Sequence, residues 1–184
     1  ATVSGSVAEL SALTTAATDL IAVTLSNAHT LAQLKAINNA TGGAITLNDA
    51  DVALSGSATD ITAALAGISG YTGDLTASGT QTGSDGVTAV NTLGDATSGV
   101  VTATISGIAA ELASLTTAGT DLIAVTLSDA HTLAQLKDIN SATGGSITLF
   151  SSTAVLSGLA ADISAALTGI SGYAGAVTAS DAQT

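Results

Sequence analysis

The sequence predicts an α/β fold, a right-handed αβ-solenoid of about seven stacked coils, each a short helix plus a strand of a parallel sheet. Three observations predict it: a long internal repeat, a shorter period nested inside it, and an aliphatic composition almost free of aromatic residues.

Shifted by 102 residues, Ala1 to Thr82 aligns with Ala103 to Thr184 without a gap, and 57 of the 82 pairs are identical. Asp19 to Ser26 (DLIAVTLS) returns as Asp121 to Ser128, and Ala28 to Lys35 (AHTLAQLK) returns as Ala130 to Lys137. The expected organisation is a single solenoid array over 1–184, with repeat 1 at 1–102 holding four coils and repeat 2 at 103–184 holding three, truncated. Inside each repeat, a helical apolar stripe is followed by Thr or Gly punctuation and a β-branched run. The last apolar residue of the stripe falls at Leu13, Ile37, Ile68, Leu93, Leu115, Ile139 and Ile170, in steps of 22 to 31 residues.

Each coil opens with apolar residues at helical spacing: Val7, Leu10, Leu13; Leu31, Leu34, Ile37; Ile61, Leu65, Ile68; Val87, Val90, Leu93. These predict helices of two to three turns. Ser6 with Glu9 and Thr30 with Gln33 have capping-box spacing, and Asp60 and Asp85 are candidate N-caps. Breaks follow at Thr18-Asp19, Gly42-Gly43, Gly70 to Gly73 and Ser98-Gly99. Then come strands over Leu20 to Leu25, Ala44 to Leu47, Leu75 to Ser78 and Val100 to Ile105. Alternation places Ile21, Val23 and Leu25 on one face and Ala22 and Thr24 on the other. The longer coils carry an extra segment around Ala53 to Ser55, a candidate second strand.

A helix of about ten residues does not hold itself in water, so each coil must bury its stripe against its neighbours. Paired strands repeat every ~4.8 Å while helices need ~8 to 10 Å, so the expected stack is curved or superhelical. The composition agrees: 46% of residues are apolar but only 2% aromatic, which suits a thin, regular core of Ala, Val, Leu and Ile.

Charge excludes several functions. Two lysines against 14 acidic residues give a net charge of −12, which opposes binding to nucleic acid or to an anionic membrane surface. No apolar run reaches the ~18 residues of a membrane span, which excludes membrane insertion by a helix. Absence of Cys excludes disulfides, and Ala1 in place of an initiator Met predicts a processed segment.

The unit ATVSGSVAELSALTTAATDLIAVTLSNAHTLAQLKAINNATGGAITL resembles long tandem repeats in giant secreted or surface proteins of cyanobacteria and other bacteria. Those repeats form αβ- or β-solenoid arrays, often near haemolysin-type calcium-binding repeats. The resemblance implies an architecture and an extracellular or cell-surface location rather than an activity.

No catalytic residues are expected. His29 and His131 occupy the same position in the two repeats and predict exposed or helix-capping residues. Ser26, His29 and Asp19 are near in sequence without a recognisable nucleophile motif. Two candidate sites remain. Thr24, Thr46, Thr76, Thr102, Thr126, Thr148 and Thr178 recur in the strands and would align as a ladder of hydroxyls, a surface suited to ice or glycan. Asn48, Asp49, Asp51 and Asp60 form the oxygen-rich cluster best suited to calcium, and no other cofactor is expected. The expected function is a structural segment of a stalk, adhesin or filament scaffold that self-associates end to end by stacking of coils. The alternatives are an ice- or glycan-binding module and a calcium-stiffened rod.

Overall fold

A computed structural model of the chain describes residues 1–181 as an α/β protein in which helices alternate with strands of parallel sheets. The chain divides into two compact units, Ala1–Ser78 with Asp95–Val101 and Gly79–Gly94 with Thr102–Thr184.

The first unit runs β1 (Thr2–Gly5), α1 (Val7–Leu10), β2 (Ala22–Leu25), α2 (Leu31–Asn39), β3 (Ile45–Thr46), β4 (Leu54–Gly56), α3 (Ala58–Leu65) and into β5 (Leu75–Thr82). Strands β1, β2 and β3 pair in parallel, with Ser4 opposite Thr24 and Thr24 opposite Thr46. Val23 and Leu25 are buried and Thr24 is exposed, the alternation that the sequence predicts for this run. Both expected capping boxes form. Ser6 and Glu9 close one on α1, Thr30 and Gln33 the other on α2, so donors left free at each helix start are satisfied locally.

The second unit holds most of α4 (Gly83–Ala96) and β6 (Val101–Gly107). It continues through α5 (Ala109–Leu112), β7 (Leu122–Leu127), α6 (Leu133–Ser141), β8 (Ile147–Thr148), β9 (Leu156–Gly158), α7 (Ala160–Leu167) and β10 (Val177–Ala179). Strand β7 pairs in parallel with β6 and β8, and β9 pairs with β10. Leu136, Leu156 and Ala166 are buried together, with Leu133, Ile147, Leu167 and Tyr173 packed around them.

Three expectations need correction. Seven helices are described, as the nested period predicts, but α1 and α5 are single turns of 4 residues and not two or three turns. After α1 the chain is drawn away by Thr15, whose hydroxyl donates to the Ala40 carbonyl at 2.6 Å. Asp60 and Asp85 are not N-caps. Ser57 caps α3 by accepting from the Asp60 N–H, which leaves Asp60 in the first turn, and Asp85 likewise lies in the first turn of α4. Finally, the strands are not one continuous ladder with one strand per coil, because ten strands are described. In the first unit β3 ends one sheet and β4, the candidate second strand near Ala53 to Ser55, begins another; β8 and β9 repeat this break in the second unit. A tight turn causes it, closed by Asp51 N–H donating to Asp49 Oδ1 in one copy and Thr153 N–H donating to Ser151 Oγ in the other.

Candidate functional site

Apart from the strand ladders, the recurrent contacts within each unit are turns that precede strands. Thr41, Thr97 and Thr143 each stand four residues before a strand start, with Gly two residues on. Thr41 is 3% exposed. Its hydroxyl donates to the Ile21 carbonyl at 2.6 Å and accepts from the N–H groups of Ile21 at 3.1 Å and Gly43 at 2.9 Å. One donor and two lone pairs are thereby all used. Thr143 repeats the pattern on Ile123 and Gly145, and Thr97 bridges the Gly73 carbonyl at 2.7 Å to the Gly99 N–H at 2.9 Å.

Tyr71 and Tyr173 take the same place before β5 and β10, and each hydroxyl donates back to a carbonyl, of Val52 and Ala154 respectively. Burial, with the charges of Asp49 and Asp51, pushes the Tyr71 hydroxyl up to about 12. The glycine completes each turn for a steric reason. A Cβ on Gly43, Gly73, Gly145 or Gly175 would run into the backbone of Ile21, Val52, Ile123 or Ala154.

A second set of side chains ties helices to neighbouring segments. Asn38 donates to the carbonyls of Ala64 and Ala66 beyond the middle of α3, and Asn140 donates to those of Ala166 and Thr168 at α7. Asn27, Asp129 and Asp181 each lie just past a strand and accept from the first N–H of the helix before that strand, at Val7, Ala109 and Ala160. Lys35 pairs with Asp60, and Lys137 with Asp162. Both contacts hold a first-turn carboxylate at a helix start, where the macrodipole favours it. Lys35 and Ser57 hold the Asp60 carboxyl below the usual range, and Asp162 raises Lys137.

The strand threonines fall into short rows. Thr24 stands beside Thr46 in the first unit and Thr126 beside Thr148 in the second, and all four are exposed. Ser4 extends the first row and Ser106 the second. Thr76 pairs with Ser55, and Thr178 with Ser157, in the separate sheets that follow the breaks. Thr102 is half-buried opposite Leu122, and Ser106 holds the place beside Thr126. The serines were missed because a threonine pattern alone sets no register.

Of the acidic cluster, Asp60 is committed to Lys35. Asp49 and Asp51 share a hydrogen bond that lowers the first carboxyl and raises the second, while Asn48 is exposed nearby in sequence. No group of three or more His, Cys, Asp or Glu placed to hold a metal ion occurs among the described residues. The counterpart turn keeps its shape with Ser151 and Thr153 in place of the carboxylates.

His29 and His131 correct an expectation of exposure. They are 4% and 8% exposed, and neither ring nitrogen of either residue has a hydrogen-bond partner. Ser26 and Asp19 do not reach His29; Asp19 instead accepts from the Ala16 N–H at 3.0 Å. The signals that locate the buried turns were present in sequence as Thr-x-Gly at 41–43, 97–99 and 143–145 and Tyr-x-Gly at 71–73 and 173–175. Comparison with protein-family models, curated proteins and solved structures gives no match for this chain.

Proposed function

We propose that this chain is a non-catalytic structural segment of a long extracellular or cell-surface repeat protein, wound as a right-handed αβ-solenoid and serving as spacer or scaffold. The reading is supported most by one observation: the same threonine turn recurs before β3, β6 and β8, each time bonded to backbone 20 to 24 residues earlier. A chain in which each segment is anchored on the one before extends by repetition and needs no central core. The sequence resemblance to solenoid repeats of giant bacterial surface proteins points the same way. End-to-end association between copies belongs to this proposal. Small-angle scattering tests the shape: a radius of gyration near ~16 Å, the value for a compact 184-residue globule, would refute it, and a clearly larger value is expected.

A second reading is favoured by the exposed hydroxyl rows on β1 to β3 and on β6 to β8. Hydroxyls at the ~4.8 Å spacing of paired strands suit a regular ice or glycan surface. Changing Thr24, Thr46, Thr126 and Thr148 to Tyr abolishes thermal hysteresis or glycan retention if that reading holds, and leaves a spacer unaffected.

A further inference from the structure

The ring nitrogens of His29 and His131 make no hydrogen bond, yet both residues are buried, in equivalent places in the two repeats. Each ring sits immediately before the N-cap threonine of a 9-residue helix, Thr30 of α2 and Thr132 of α6. All four ring nitrogens have less than 1 Å² of accessible surface and no hydrogen-bond partner. An imidazolium there would be a desolvated cation at the positive end of a helix, with two N–H groups and nothing to accept from them.

We propose that the two histidines make this repeat acid-releasable, so that it holds at neutral pH and opens around the turns leading into α2 and α6 as the medium acidifies. The groups facing His29 are Asp49, from the turn after β3, and the Tyr71 ring, 6.2 Å away between centroids and tilted at 55°. Tyr71 stays neutral in this range, and the Asp49 charge favours the imidazolium but is outweighed by burial, so the His29 ring is held below its ordinary value of 6.5. His131 is lowered by burial in the same way, opposed only by the charge of Asp129.

A folded ring that takes up its proton at lower pH than the unfolded chain leaves stability whole above 6.5. Stability then falls as pH drops below 6.5, and the loss ends once pH passes the folded value. The window opens well above the ordinary aspartate value of 3.8, so general carboxylate titration does not account for it.

The test is titration of the whole chain from pH 8 to pH 4.5, following the imidazole carbon-bound proton resonances and the unfolding equilibrium together. Neither ring should titrate near 6.5 while folded, and the unfolding constant should rise by up to ~10-fold per pH unit for each histidine below that point. The His29→Leu, His131→Leu double variant should be at least as stable at pH 7.5 and should lose this rise. If that variant fails to fold, the ring titration of the unaltered chain still decides. Two rings titrating at 6.5 or above in a chain that stays folded, or an unfolding constant flat from pH 7.5 to 5, would overturn the proposal.

Discussion

Residues 48–57 in the first unit and 150–159 in the second occupy the same place in the repeat, yet of ten positions only the Leu-Ser-Gly of β4 and β9 is shared. The turn survives the change. Asp49 accepts the Asp51 N–H in one copy and Ser151 accepts the Thr153 N–H in the other, both at 3.4 Å. The N-cap does not survive, because Ser57 becomes Leu159, whose side chain offers α7 no acceptor. Phe150, Val155 and Leu159 are more than half exposed where the first copy has Asn48, Ala53 and Ser57. Contrast the turns at 41–43 and 143–145, both Thr-Gly-Gly, buried at the threonine and bonded alike. Side chains at exposed turns supply an acceptor that several residue types can provide, whereas the buried turn needs one shape and one hydroxyl.

Breaking that contrast should therefore cost most at the glycines that close those turns. Gly43→Val and Gly145→Val push a side chain into the Ile21 and Ile123 backbone, and each should lose about 4 kcal/mol or more in denaturant unfolding. A valine at Gly169, where a Cβ meets nothing within 4 Å but φ is 72°, tests strain without collision and should lose less.

Next in size are the buried hydroxyls. Thr41→Val and Thr143→Val keep the volume and remove the hydroxyl that serves two N–H donors and a carbonyl, at about 2 to 3 kcal/mol each. For a chain this long that corresponds to a melting point lower by about 4 to 12 °C. Ser151→Ala, at the exposed turn, should be close to neutral by the same measurement.

These magnitudes also explain what sequence could and could not show. Helices were legible because a 3.6-residue stripe such as Leu31, Leu34 and Ile37 is set by local periodicity, and Leu34 and Ile37 are indeed fully buried. The strand register was not, since Thr102 and Ser106 are equally plausible neighbours of Thr126 until pairing places Ser106 beside it. The broken ladder was half legible: the extra strand near Ser55 could be read, but not that it would pair with β5 and leave β3. The histidines were misjudged because a polar residue before a helix ordinarily faces water, and only the fold shows that this one does not.

Helix caps give a smaller, reciprocal comparison. Leu159→Ser should return to α7 the acceptor that Ser57 gives α3, adding about 1 kcal/mol, and Ser57→Leu should remove about as much from the first copy. Equal and opposite changes in the denaturant midpoint are expected. A stabilised Ser57→Leu would mean that exposed apolar residues, not caps, govern these helix starts.

The ion pairs should matter least. Lys35–Asp60 and Lys137–Asp162 have side chains 35 to 44% exposed, so solvent screens both, and Lys35→Met or Lys137→Met should lower the melting point by no more than about 2 °C, less in high salt. The folded value of Asp60 lies below 3.8; its contribution is present above 3.8 and lost as pH falls through the folded value. Lys137 is raised above 10.5, so its contribution is present below 10.5 and lost as pH climbs through the folded value. Lys35→Met should therefore flatten the acid limb of the melting curve and Lys137→Met the alkaline limb. If either substitution instead cost as much as Thr143→Val at neutral pH, surface charge and not the buried turn would be the stronger tie between successive segments.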